Sequence, residues 1–199
     1  MKALVYDTET TGLPLFSEPS EDPRQPHIVQ LGACLVDVDT RKVLSSIDVI
    51  IRPAGWEIPA EVAQIHGITT ERALDEGIPE ALAIAAFMEL WRNSSVRVAH
   101  NEQFDARIMR IGLMRHPYTV SPDTWKESPA ECTQRLATPI LKLPPTPKMV
   151  AARIRSPYKS ANLGEAYQFF TRQPLVDAHS AMADVQACMA VWFAIKDAA

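Results

Sequence analysis

Ala3-Leu4-Val5-Tyr6-Asp7-Thr8-Glu9-Thr10-Thr11-Gly12 decides how the rest of the chain is read. An apolar run that closes on two carboxylates is the pattern of a buried strand delivering acids to its C-terminal end. Side chains alternate faces along a strand, so Asp7 and Glu9 point the same way. Two like charges held together disfavour each other's ionisation unless something compensates. A divalent cation with hard oxygen ligands is the usual compensation, and Mg²⁺ or Mn²⁺ suits carboxylates better than a soft metal does. Taken alone, an Asp-x-Glu pair is most often a strand end with two solvated acids. Other segments of the chain lift it above that reading.

The 199 residues, 47% hydrophobic and 22% charged, fit one well-cored domain spanning residues 1–199. No apolar stretch approaches the ~20 residues of a membrane span, so no membrane partner is expected. Met1-Lys2 leads straight into the first strand, which leaves no room for a signal sequence. Cys34, Cys132 and Cys188 lack metal-ligand spacing, and free thiols in a reducing compartment, hence a cytoplasmic location, are expected. The net charge of −4 argues against coating nucleic acid through bulk positive charge, yet it admits an enzyme that holds a short end. Within this acidic chain, residues 146–160 carry Lys148, Arg153, Arg155 and Lys159 with no acid among them. On charge alone that stripe is as readily a solvated loop or helix face.

After the first strand, Pro14, Pro19, Pro23 and Pro26 punctuate a polar loop that cannot be a helix or a central strand. Ile28 to Val38 and Lys42 to Ile51 are rich in β-branched residues, and Asp39-Thr40-Arg41 joins them as a hairpin. Short helical signals follow around 59–62 and 69–71, broken at His66-Gly67. Pro79, in its first turn, starts a strong helix through about Trp91. Ser95 to Ala99 reads as a strand and is followed by a helix to about Met114. Further helices are expected over Thr133 to Leu141, Ala161 to Phe170 and Ser180 to Lys196. This order predicts an α/β fold with a mixed sheet, a right-handed crossover and helices on its faces.

Two further segments offer acids to the same strand end. Val98-Ala99-His100-Asn101-Glu102-Gln103-Phe104-Asp105 runs from strand to helix and sets Asp105 in the first turn, where the helix dipole alone would favour it. In His179-Ser180-Ala181-Met182-Ala183-Asp184, a continuous helix would hold residues five apart on different faces. With Ser180 as N-cap, His179 lies in the preceding loop and can turn toward Asp184. Asp184 borders the apolar stripe Ala181, Val185, Cys188, Trp192 and Ile195, so it faces the sheet and needs a partner there.

As a set, Asp7-Thr-Glu9-Thr-Thr-Gly, His100-Asn-x-x-Phe-Asp105 and His179-x-Ala-x-x-Asp184 resemble the three motifs of the DEDDh 3′-to-5′ exonucleases. That family includes the proofreading subunit of bacterial replicative DNA polymerase. The resemblance runs from residue 3 to about 195. It implies a ribonuclease H-like fold: a five-stranded mixed sheet, its first three strands antiparallel, with helices on both faces. Ile65-His66-Gly67-Ile68-Thr69 is similar to the segment this family places against the terminal nucleotide. The loop from Pro14 to Pro26 is longer than the family's usual short turn, and the basic segment 146–160 also looks like an extension.

The resemblance further implies hydrolysis of the last phosphodiester at a single-stranded DNA 3′ end, releasing a nucleoside 5′-monophosphate, with two Mg²⁺ or Mn²⁺ ions serving both ends of the displacement. Asp7, Glu9 and Asp184 would hold the first ion, Asp7 would bridge to the second with Asp105 assisting, and His179 would be the general base. Backbone N–H groups around Thr8 to Thr10 would reach the terminal 3′-hydroxyl. Leu13, Ile65, His66 and Phe104 are candidates to stack on terminal bases, and Asn101 to bind a phosphate or to cap its helix. An exoribonuclease of the same family, trimming RNA or short oligonucleotides, would use the same five core residues, and no residue in the sequence reveals whether a 2′-hydroxyl is accommodated. A silent nucleic-acid-binding module would keep the fold alone. The chain stops just after its last helix, which suggests a freestanding enzyme; a polymerase partner or a homodimer is not legible in the residues.

Overall fold

The computed structural model describes residues 1–176 and 178–198. Strand β1 (Lys2–Thr10) is the centre of the molecule because both its faces are apolar at the N-terminal end: Ala3, Leu4, Val5 and Tyr6 are all fully buried. It pairs antiparallel with β2 (Ile28–Asp37), which pairs antiparallel with β3 (Val43–Ile50). On its other side β1 lies parallel to β4 (Val96–Ala99), and β4 parallel to β5 (Ala130–Cys132). The sheet order is β3-β2-β1-β4-β5. This is the five-stranded mixed sheet of the ribonuclease H-like fold, with its first three strands antiparallel.

Alternation along β1 divides the core. Ala3 and Val5 pack with Cys34, Val185, Cys188 and Trp192 under α9 (Ala181–Asp197). Leu4 and Tyr6 pack with Phe87 of α3 (Glu80–Arg92), with Ile108 of α4 (Glu102–Arg115), and with Trp125 of α5 (Pro122–Glu127). Fully burying each large apolar side chain contributes roughly 1.5–3 kcal/mol, so the register of β1 is fixed from both sides. A one-residue slip would turn Asp7 and Glu9 to the opposite face. Two more helices, α6 (Thr133–Leu141) and α8 (Leu163–Thr171), pack on α9. Small helices α1 (Ala60–His66) and α2 (Thr70–Glu76) flank the break at Gly67, whose φ of 73° suits glycine.

The sequence pattern offers no element over residues 122–132, although α5 and β5 lie there. Only three residues long and with none of them buried, β5 carries no alternation to read; it forms because β4 templates it, with the Arg97 N–H donating to the Pro129 carbonyl at 3.1 Å. Helix α7 (Pro147–Ala151), inside the basic segment, is a single capped turn. Pro79 is the N-cap of α3 rather than part of its first turn, since its ψ of 136° is extended.

The proline-punctuated loop has no regular element, yet it is strapped down. The buried Gln25 amide accepts from the Leu15 N–H at 3.0 Å and donates to the carbonyls of Leu15 (3.0 Å) and Pro19 (2.9 Å). Arg110 of α4 donates to the Ser20 hydroxyl at 2.7 Å, Arg115 to the Pro26 carbonyl at 2.7 Å, and Arg107 to the Glu18 carbonyl. Among the described residues no helix is long and apolar enough to cross a membrane. Cys34, Cys132 and Cys188 are free thiols.

Candidate active site

The C-terminal end of β1 opens into a cleft of about 380 Å³ whose lining includes Asp7, Glu9, Asp105, His179 and Asp184. They arrive from β1, α4, α9 and the loop before α9, each for a local reason. Asp7 and Glu9 continue the β1 face that lies under α9. Asp105 comes over the strand end from the other face: the Thr8 N–H and the Thr8 hydroxyl both donate to its Oδ1, at 3.0 and 2.7 Å. The start of α4 is itself pinned, with Glu102 accepting from the Tyr6 hydroxyl at 3.1 Å and from Arg97 at 2.6 Å. Arg97 is buried and lies over the Trp125 ring, 4.4 Å from its centroid.

Asp184 depends on how closely α9 approaches the sheet. Gly32 stands opposite Asp7 in β2, and a Cβ there would lie 2.8 Å from the Ala181 carbonyl carbon, a distance side-chain carbons do not adopt. Gln30, opposite Glu9, accepts from the Ala181 N–H at 3.2 Å and donates to Asp48 at 2.7 Å. Gly32 and Gln30 therefore seat the first turn of α9 on β2. Ser180 is the N-cap residue, so His179 lies outside the helix with φ 71°, a backbone that non-glycine residues rarely adopt. Its N–H donates to Asp184 Oδ2 at 3.2 Å.

Crowding these acids in a buried end raises their proton affinity. Burial first, then the charges of Asp105, Asp184 and Glu9, pushes Asp7 well above the carboxylate range. Burial and then Asp184 push Glu9 up to about 7. Burial carries Asp105 up to about 8 against the opposing Thr8 hydrogen bonds, and burial raises Asp184 against the His179 N–H. A divalent cation reverses this by supplying the missing positive charge. The donors fit one: ligand atoms of Glu9, His179 and Asp184 all lie within 4.8 Å of one another. Buried Asp184 Oδ1 also has no hydrogen-bond partner among the described residues.

The other sequence-singled residues fall in three places. Leu13, Asn101 and Phe104 line the cleft, Leu13 being 78% exposed and Phe104 partly packed into the core beside Tyr6. Asn101 is the N-cap residue of α4, at φ 65°, and its side chain makes no cap hydrogen bond. Ile65 is exposed at the end of α1, next to buried His66. His66 Nδ1 accepts from the Ile68 N–H at 3.2 Å while its Nε2 has no partner among the described residues. Burial and then the charge of His179 lower its pKa. The Thr8 N–H, one of the groups expected near a 3′-hydroxyl, donates to Asp105 Oδ1 at 3.0 Å. The Thr10 hydroxyl donates to the Gly12 carbonyl at 2.7 Å and shapes the turn.

Sequence reasoning missed Gln30, Gly32 and His100. A glycine and a glutamine inside an apolar strand are the signals that mark close backbone approach and a buried polar contact. His100 Nε2 donates to the Ala161 carbonyl at 3.0 Å and its Nδ1 meets the Thr133 hydroxyl at 2.9 Å, tying one cleft wall to α6 and to the entry of α8.

A ribonuclease H-like sheet whose central strand ends in a cleft of four carboxylates and a histidine defines the class: an α/β protein of the DEDDh type. The exonuclease family RNase_T matches residues 4–192, and the chain belongs to it. Over 145 residues the chain is 33% identical to a PolC-type DNA polymerase III from Thermotoga maritima, covering 70% of this chain and 9% of that protein. A putative bifunctional exonuclease/endonuclease protein of Mycobacterium tuberculosis is 30% identical over 151 residues, 76% of this chain and 22% of that one. Among solved structures, E. coli Exonuclease I in complex with a dA16 oligonucleotide shares the fold with a TM-score of 0.71 at 22% identity, over 98% of this chain and 41% of that chain. The chain thus spans less than half the length of each of these relatives.

Proposed function

We propose that residues 1–199 act as one exonuclease domain that hydrolyses single-stranded DNA from its 3′ end and releases nucleoside 5′-monophosphates with two divalent cations. The convergence of Asp7, Glu9, Asp105, Asp184 and His179 in one cleft carries this reading. When bound, a cation pair supplies a nucleophile at neutral pH and neutralises charge on the leaving oxygen. Asp7, Glu9 and Asp184 would hold one ion, with Asp7 and Asp105 holding the other. Mg²⁺ keeps several waters, which suits so few protein ligands.

His179 does the proton work. Outside the helix and beside Asp184, its imidazole accepts a proton from the attacking water, a role worth about 10²–10⁴-fold in rate. Leu13 and Phe104 border the cleft as apolar surfaces on which terminal bases stack, a contact tolerant of sequence. Asn101 faces the same cleft as a phosphate contact. The free thiols fit a reducing, cytoplasmic setting. DNA as substrate is supported by the polymerase relative and by the oligonucleotide complex that shares the fold.

The test is a digestion panel of end-labelled single-stranded DNA, duplex DNA and RNA, with Mn²⁺ or chelator and with product sizing. Monophosphates released from single-stranded DNA, only with metal, are expected. Strand binding without release in either metal would establish a silent binding module instead, and preferred release from RNA an exoribonuclease.

A further inference from the structure

Charge is distributed very unevenly along this acidic chain. Between Glu131 and Glu165 there is no acid, but there are Arg135, Lys142, Lys148, Arg153, Arg155 and Lys159. Lys159 pairs with Glu165. Among the described residues no carboxylate lies within ion-pair distance of the other five, and Lys142, Lys148, Arg153 and Arg155 are exposed. The segment is nevertheless ordered as an arm. Thr146 caps α7, and the turn behind it closes with the Ile154 N–H donating to the Met149 carbonyl at 3.0 Å. Val150 and Ile154 stand among the cations, 66% and 53% exposed.

The arm is continuous with the cleft. Its C-terminal end reaches Ala161, whose carbonyl accepts from His100 in the cleft wall. Glu165, which anchors Lys159, lines a second hollow that shares Leu163, His179 and Asp184 with the acid cleft. A strand held by its 3′ end at the acids has only its 5′-ward nucleotides left to extend outward. Exposed cations interleaved with apolar side chains match the phosphates and bases of such a strand.

We infer that the arm 147–159 is a second nucleic-acid contact, holding phosphates of the strand several nucleotides 5′ of the reacting end. It rests on the exonuclease reading and adds to it a dependence of efficiency on substrate length. Lys148, Arg153 and Arg155 take the phosphates, and the catalytic cleft takes the terminal nucleotide.

The experiment compares wild type with K148Q/R153Q/R155Q on a long DNA single strand and on a minimal substrate, the p-nitrophenyl ester of thymidine 5′-monophosphate, across a salt series with Mn²⁺. On the long strand the variant's kcat/KM should fall about tenfold at moderate salt. The slope of log kcat/KM against log salt should shrink by about 2, since each phosphate that a cation neutralises on a single strand adds about 0.7 to it. Hydrolysis of the minimal substrate should not change, which also shows that the variant is folded. K148E/R153E/R155E should deepen the loss on the long strand alone. A variant that matches wild type on the long strand, in rate and in salt slope, overturns the proposal, as does equal loss on both substrates. Wild-type protein inert on both substrates overturns the exonuclease reading itself.

Discussion

The end of β1 and the segment between Glu131 and Glu165 are electrostatic opposites. One gathers Asp7, Glu9, Asp105 and Asp184 in a buried cleft, where burial first and then the charges of neighbouring acids raise the pKa values of Asp7 and Glu9, and burial raises those of Asp105 and Asp184. The other sets cations on the surface with hardly a carboxylate in reach. Neither arrangement is what stability alone favours: buried like charges and unpaired surface charges both leave favourable interactions unmade. The proposed function and the proposed arm contact would complete them together, with cations and a scissile phosphate at the acids and further phosphates of the same strand along the arm. Function is read here from what the fold leaves incomplete.

The sharpest way to break the acid side is Asp7→Ala. Asp7 is the acid that feels all three of the others, and its loss should lower turnover on the order of 10³-fold, the scale of removing a main electrostatic stabiliser of a transition state. Retained activity in an endpoint digestion would separate Asp7 from the chemistry. His179→Ala should cost about 10²–10⁴-fold in kcat while Mn²⁺ affinity, read by calorimetry, stays near wild type. Because His179 also falls within 4.8 Å of the ligand atoms of Glu9 and Asp184, a large loss of Mn²⁺ affinity would instead make it a ligand.

Gly32→Ala tests position rather than chemistry. The new Cβ would meet the Ala181 backbone at 2.8 Å, so α9 must shift and carry Asp184 and His179 with it. About 10²-fold loss of kcat is expected from such a misplacement. It should come with about 1–3 kcal/mol of destabilisation by overpacking, measured by urea unfolding. Wild-type kcat in that variant would show that the approach of α9 is not needed.

The smallest effect is in pH. Glu9 rises from 4.5 to about 7 and Asp105 from 3.8 to about 8 on folding. A carboxyl with a raised folded pKa supports the fold below its unfolded value, and that support is lost as pH climbs through the folded value. In chelator, the melting temperature should therefore fall from about pH 5 to about pH 8, and added Mn²⁺ should raise it most at the alkaline end. Asp105→Asn should flatten the fall in chelator; an unchanged profile would remove the acid crowding from the account.

How far the sequence carried depended on whether a residue's partner was near in sequence or revealed only by packing. β1, the hairpin and the α4 and α9 helices were legible because apolar periodicity and punctuation are local. Asp7 and Glu9 were legible from strand parity, and the resemblance to the DEDDh motifs joined Asp105, His179 and Asp184 to them. β5 was not, since three residues with none buried carry no pattern and pair only because β4 offers an edge. Gln30 and Gly32 stand out in an apolar strand, but what they contact could not be read locally, because their work is against α9, some 150 residues later. The Thr8–Asp105 hydrogen bonds were hidden for the same reason, since Asp105 comes from the other face of the sheet.

The central claim is that the crowded acids hold divalent cations for cutting a strand from its 3′ end. A 5′-labelled DNA single strand digested by wild-type protein in Mn²⁺ tests it most directly. The account predicts a ladder shortening one nucleotide at a time from the 3′ end, absent in chelator and in Asp7→Ala. A ladder that persists in chelator or in Asp7→Ala, or label released at once as a mononucleotide from the 5′ end, would contradict it.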